Sequence, residues 1–205
     1  MPVNIEYINT FLNRDGAEGP RVTVGYIPAR PGNFYGRPNQ RPDVYTAIGA
    51  SGVTIATGCD LGQTDVPTLQ GYNLPDAIIN QLRPYIGLKT SAAISKLSAL
   101  PLTISADAAA TMDERIHGGY LIRYVAPAYN KASEIMFGDL PDQAQAIVFS
   151  LCFQKGCGGV RRDWPKLWGY LITQNWCAAS NELRTGFTQY QYRRRTEGEL
   201  LRELC

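Results

Sequence analysis

One histidine, His117, is the whole imidazole supply of this 205-residue chain. That scarcity closes off several chemistries. A zinc site would need tighter ligand pairs than the C-x4-C of Cys152 and Cys157, and more of them, so no metal is expected. A Ser–His or Cys–His nucleophile would have to use His117, inside RIHGGY, where a helix-break residue with no catalytic role is the simpler reading. No cofactor is expected either. No window approaches 18 consecutive apolar residues, so no membrane-spanning helix and no membrane partner are expected. The start, MPVNIEYINTFLNR, lacks a basic stretch followed by an apolar core, so no secretory leader is expected. An excess of one charge is also missing. Twenty Lys+Arg against 18 Asp+Glu leave +2, and the basic residues are not gathered into a stripe with aromatic spacing, so no nucleic-acid partner is expected. Cysteines stand at 59, 152, 157, 177 and 205, and an odd count without a leader predicts free thiols in a reducing compartment.

What is present describes an ordinary globule, with 44% hydrophobic and 19% charged residues. Fifteen of the 20 basic residues are Arg, suited to fixed, planar hydrogen bonding with carboxylates or phosphates. There are no repeats or low-complexity tracts, and a single domain over 1–205, acting as a monomer, is expected. Composition does shift along the chain. Seven of the 13 prolines (20, 28, 31, 38, 42, 67 and 75) fall in residues 15–75, a density that excludes long helices. Within that tract RVTVGYI (21–27) and SGVTIATG (51–58) read as strands joined by a long Pro/Gly loop. From about 76 to 205 the pattern is helical. Asn4, Ser105, Asp163 and Asn175 are predicted N-caps, Gly118-Gly119 a helix break, and Gly156 and Gly186 helix ends. The expected class is α+β, a small β-containing N-terminal lobe and a larger helical lobe with a cleft between them.

Two places could carry chemistry. Glu18, in RDGAEGPRV, stands between the first helix and the first strand and is flanked by Gly16 and Gly19. It reads either as a solvated loop glutamate or as a cleft-wall acid whose proton is available near neutral pH. In SGVTIATGCDLGQT, Thr54 and Thr57 are expected on one strand face, and Val53 and Ile55 on the other. Asp60 and Gln63 follow at the strand end, where Asp60 either orients a water or caps its own turn. Two carboxyls, one donating a proton and one activating water, are the minimum equipment for hydrolysing a glycosidic bond.

At these residues the sequence resembles the phage-type lysozymes, and most closely the pesticin-like muramidases. GAEGPRVTVGYIP, SGVTIATGCDLGQT, AIVFSLCFQKG and YQYRRRTEGELL carry the likeness in the family's order. The resemblance implies a lysozyme-like fold with a peptidoglycan cleft. It implies hydrolysis of the β-1,4 bond between N-acetylmuramic acid and N-acetylglucosamine, and bacterial lysis. Glu18 matches the family's glutamate and Thr54 its threonine. The acidic member, usually six residues before that threonine, is Ile48 here. Asp60 is the substitute, with Asp43 the next choice. Tyr26, Gln63 and Gln154 are the implied substrate contacts, with Lys155 beside them, while Arg193, Arg194 and Arg195 suit packing or salt bridges. Peptidoglycan is the implied partner, and a cognate immunity or inhibitor protein is a further one such a chain would take. The expected course is synthesis in the cytoplasm and action in the periplasm or wall after release or delivery. A lytic transglycosylase and a non-catalytic wall-binding domain are the alternatives.

Overall fold

The longest strand, β1 (Val22–Arg30), is flanked on both edges in the computed structural model, which describes residues 3–37 and 39–205. Met1, Pro2 and Pro38, the last a member of the proline-rich tract, lie outside the described residues. The chain packs into two units, one of Arg21–Ile116 and one of the segment up to Pro20 with His117–Cys205. The composition shift near residue 75 is therefore not where packing divides the chain.

In the first unit, β1 pairs with β2 (Phe34–Tyr35) and β3 (Thr46–Ala47) through its second half and with β4 (Thr54–Ala56) through its first. β5 (Cys59–Asp60) adds to β4, and every pairing is antiparallel. Two of these strands, β2 and β3, lie inside what reads as loop in the sequence, because two-residue strands are too short to show a period. Ala56 takes φ +53° and ends β4. Thr57 therefore leaves the strand instead of sharing a face with Thr54, a correction to the expected alternation. Four helices follow: α2 (Val66–Gly71), α3 (Asp76–Leu82), α4 (Thr90–Ala99) and α5 (Ala106–Tyr120). Ser105 Oγ accepts from Ala108 N at 3.0 Å, the predicted cap of α5. α2 is not predicted, since six residues with a proline at the start carry little periodicity.

The second unit holds α1 (Ile5–Leu12), a single π-helical turn at Leu121–Val125, α6 (Ala126–Asn130), α7 (Asp142–Lys155), α8 (Cys157–Asp163), α9 (Pro165–Ile172), α10 (Trp176–Thr185) and α11 (Gln191–Arg202). Asn4 caps α1 through Tyr7 N at 3.0 Å and ties it to α7 through Asp142 Oδ2 at 2.7 Å. Every residue of α7 from Ala144 to Cys152 is buried, so this helix is the centre of the unit. Its two polar members there are bonded, Gln145 to Leu140 O at 2.9 Å and Ser150 to Glu197 at 2.6 Å.

Two helix expectations are corrected here. The break at Gly118-Gly119 does not occur: α5 runs through both glycines into the π turn. A helical glycine costs only about 1 kcal/mol, and the packing of His117 and Tyr120 against Phe149 and Phe153 outweighs it. Asp163 caps nothing. It ends α8, a helix the sequence reading lacked, and pairs with Arg162 and Lys155 at 2.7 and 2.9 Å. Those two cations hold its carboxyl down at about 2.

The cysteines are a further correction. α11 folds back along α10, so that Arg184 meets Glu199 at 2.8 Å, Ser180 Oγ donates to Gly198 O at 2.8 Å, and Cys177 bonds to Cys205. Only Cys59, Cys152 and Cys157 are free thiols. A bridge spanning 28 residues stabilises a chain by about 3–4 kcal/mol through the entropy of the unfolded state. Reductant is expected to lower the unfolding temperature by roughly 6–15 °C, with no further effect on Cys205→Ser. Five reactive thiols in the denatured, unreduced protein would rule the bridge out.

Candidate functional site

Glu18 closes the turn that follows α1. Its N–H and that of Gly19 both donate to Leu12 O at 3.1 Å. Gly16 and Gly19 take φ of +87° and +95°, values that side chains resist, and Gly16 also lies too close to Tyr192 and Thr196 of α11 to admit a Cβ. The turn therefore delivers Glu18 in one orientation. Its Oε1 lies 2.5 Å from Arg193 Nη1, and its side chain is 16% exposed.

Behind it stands a network of charges carried by α7 and α11. Arg193 Nε donates to Glu197 Oε1 at 3.1 Å, and its Nη2 donates to Ser150 O and Oγ at 3.1 and 2.9 Å. Arg194 Nη1 is 3.0 Å from Glu197 Oε2, and Nη2 donates to Gln154 Oε1. The Arg194 guanidinium also lies 5.2 Å from the Trp164 ring and 5.9 Å from Phe187. Two carboxylates thus balance two guanidinia where Arg193, Arg194 and Glu197 are all buried. Burial works against the Arg193 charge, yet Glu18 and Glu197 outweigh it and hold that group above its ordinary value. For Arg194 burial wins and draws it down to about 10.

The sheet gathers a second set. Tyr26 of β1 is registered opposite Thr54 of β4, and Thr54 opposite Asp60 of β5. Directly opposed residues project to the same face, so the three form one cross-strand row. Thr54 is buried, Tyr26 and Asp60 are half-buried, and Tyr26 packs edge-on to Phe34 at 5.8 Å. Gln63, exposed, donates to Ala50 O at 2.7 Å. Asp60 Oδ1 accepts from Gly62 N at 2.8 Å and Gly52 N at 3.0 Å. Gly52 and Gly62 pass so close that a Cβ on Gly52 would sit 2.6 Å from Gly62 backbone. The capping reading of Asp60 is thereby realised, and burial pushes its carboxyl above the ordinary value despite the two N–H donors.

The raised value fixes the sign of a test. The Asp60 contribution to stability is full below its unfolded value, near 3.8, and is lost as pH rises through the higher folded value. Asp60→Asn keeps the acceptor without the charge, so at pH 7 it should unfold at or above the wild-type temperature, with the advantage vanishing in acid. Asp60→Ala strips both N–H groups of their acceptor and should cost about 1–2 kcal/mol. Thermal unfolding of both variants across pH checks this, and an Asn variant as unstable as the Ala variant would contradict it.

Asp43 is exposed and forked onto Arg41 at 2.6 and 3.3 Å, and that guanidinium lowers its carboxyl. Ile48 is 38% exposed and donates its N–H to Pro28 O. His117 is buried, with Nδ1 2.7 Å from Asn9 Oδ1. Two groups escaped the sequence reading. Glu197 was legible only as an i,i+4 partner of Arg193. Asp113, 2% exposed, takes Arg21 Nε at 2.6 Å and Thr57 N and Oγ1 at 3.0 and 2.7 Å. Nothing in ADAAATMDERI signals it. Among the described residues no group of three or more His, Cys, Asp or Glu could hold a metal ion.

The family described as "Pesticin: bacterial toxin homologue of phage lysozyme, C-term" matches residues 8–177, more than four-fifths of the chain. The chain belongs to the pesticin family. No curated protein matches it. Family membership makes it a phage-lysozyme-like protein of the peptidoglycan-degrading, glycoside-hydrolase type. The pesticin match takes in Glu18, Tyr26, Thr54, Asp60, Gln63 and Gln154, and stops before Arg193, Arg194 and Glu197.

Proposed function

We propose that this chain hydrolyses the β-1,4 bond between N-acetylmuramic acid and N-acetylglucosamine and so lyses bacteria. In this reading Glu18 gives its proton to the leaving glycosidic oxygen as the C1–O bond breaks. Thr54 with Asp60 orders the water that attacks C1, and Asp60 takes the proton that water releases. Tyr26, Gln63 and Gln154 contact the glycan. The protein would act in the periplasm or wall, where the substrate is, after release or delivery. The observation behind the acid assignment is the single, fixed orientation of Glu18, set by its turn and by Arg193. The test is muropeptide analysis of sacculi digested by wild type and by Glu18→Gln. Reducing muramic ends from wild type and none from the variant are expected. Sacculi bound without soluble products would overturn the catalytic reading.

One observation favours a second course. Asp60 Oδ1 already accepts from two backbone N–H groups, and Ile48 stands where the family carries an acid. With Glu18 serving as both acid and base, the muramic 6-hydroxyl can displace the glycan without water, as in a lytic transglycosylase. Anhydro-muramic ends in the same analysis would select that course.

A further inference from the structure

The row of Asp60, Thr54 and Tyr26 does not end at β1. The sheet continues to β2, in the order β2-β1-β4-β5, and Phe34 of β2 sets its ring edge-on to Tyr26 at 5.8 Å. The Arg37 guanidinium lies 4.6 Å from the centre of the Phe34 ring. A carboxylate, a hydroxyl, two aromatic rings and a cation therefore follow one another across four strands. Strands are spaced by about 4.8 Å, which puts Phe34 roughly 14 Å from Asp60.

The far end of this row is held in place. Gln40 Oε1 accepts from Gly36 N at 2.7 Å and Arg37 N at 2.6 Å, and its Nε2 donates to Phe34 O at 3.2 Å and Tyr45 Oη at 2.9 Å. Gly36 takes φ +142°, and a Cβ there would sit 2.8 Å from Gly25 O, so the chain leaving β2 is pressed against β1. Phe34 and Tyr26 are half-buried, whereas Arg37 is exposed. The nearest acid along the chain, Asp43, is taken by Arg41 at 2.6 Å, and no carboxylate among the described residues pairs with Arg37.

We propose that Phe34 and Arg37 form a glycan subsite for a carboxylate carried by muramic acid, on its lactyl group or its stem peptide, a refinement that rests on the peptidoglycan reading above. Sugar rings present C–H faces to aromatic rings, and Phe34 beside Tyr26 offers such a surface. A carboxylate projecting from the sugar meets a guanidinium with two N–H groups to donate. The ring beneath Arg37 and the Gln40 clamp set that geometry before a ligand arrives, which lowers the cost of binding. Chitin, an uncharged glycan of N-acetylglucosamine, gains nothing from Arg37. The subsite thus favours peptidoglycan over a neutral polymer.

Calorimetric titration of the whole chain tests this without turnover. The probes are the glucosaminyl-muramyl disaccharide with its tetrapeptide, the same disaccharide without peptide, and diacetylchitobiose. Wild type should bind the tetrapeptide form roughly tenfold more tightly than chitobiose. Arg37→Gln should remove most of that preference, leave chitobiose within about twofold, and be partly rescued by Arg37→Lys. An equal loss for the peptide-free disaccharide assigns the contact to the lactyl carboxylate, and a loss confined to the tetrapeptide form assigns it to the stem. Arg37→Gln binding the tetrapeptide form like wild type, or a wild type without preference, would overturn the subsite. No probe contains the muramic-to-glucosamine bond, so a failure to release muropeptides from sacculi would sink the hydrolytic reading and leave these affinities to judge the subsite.

Discussion

Glu18→Gln is expected to lower the release of soluble muropeptides by about 10²–10⁴-fold, the usual contribution of a positioned general acid, while the protein stays folded. Gln keeps an oxygen that can accept from Arg193 Nη1, so the turn held by Leu12 O, Gly16 and Gly19 loses little. What it lacks is a proton that can be given up as the glycosidic bond breaks. The measurement is initial turnover on purified sacculi, paired with circular dichroism and thermal unfolding of the same preparation. Turnover within tenfold of wild type in a folded variant would remove Glu18 from the mechanism, and a Gln variant that fails to fold would redirect the question to Glu18→Asp. Both products, reducing and anhydro, should fall together, because each course needs the same acid.

Glu197→Ala should give the largest loss of stability. Three buried groups would lose one carboxylate at once: Ser150 Oγ at 2.6 Å, Arg193 Nε at 3.1 Å and Arg194 Nη1 at 3.0 Å. Two guanidinia would remain buried against Glu18 alone. Removing one partner of a buried ion pair costs about 3–5 kcal/mol, which for a chain of this length corresponds to roughly 10 °C in unfolding temperature. The exposed neighbour Arg195 supplies the control, since Arg195→Ala should stay within about 0.5 kcal/mol. Urea titrations of the two variants decide it. Equal midpoints would mean that the network adds nothing to the fold. Glu197→Gln should fall between them, because its remaining oxygen still accepts from Ser150 and Arg193. Arg193 also orients Glu18, so the Ala variant should lose turnover even at temperatures where it remains folded.

Much of the fold was legible because its signals are local. Asn4, Ser105 and Asn175 cap the helices predicted for them, each through a side chain that reaches a backbone N–H three residues on. Gly156 ends α7 where its place after an apolar run predicts. β4 falls within SGVTIATG, and β1 starts within RVTVGYI and runs three residues beyond it to Arg30. Gly118-Gly119 misled because two glycines lower helix propensity by an amount that a few aromatic contacts exceed. The cysteine count misled because parity says nothing of which sulfurs the helices bring together.

The site was legible in part, and for the same reason. Tyr26, Thr54 and Asp60 share a row because strand register follows from a short turn at Thr57-Gly58 and the pairing of β1 with β4. Gln154 was chosen as a glycan contact, and its oxygen accepts from Arg194 in a helix 40 residues later. No spacing rule connects those two positions.

By itself the sequence determined the α+β class, several helix limits and the family, since caps, turns and β-branched runs act over a few residues. Only the tertiary structure decided which charges are buried. Asp113 and Glu197 look like solvent-facing carboxylates in their own segments, and each is buried and bonded by residues 47 to 92 positions away. The scarcity of histidine excluded much chemistry at the outset. What remained rests on carboxylates and guanidinia, whose behaviour depends on burial and neighbours, and those are set by packing between distant parts of the chain.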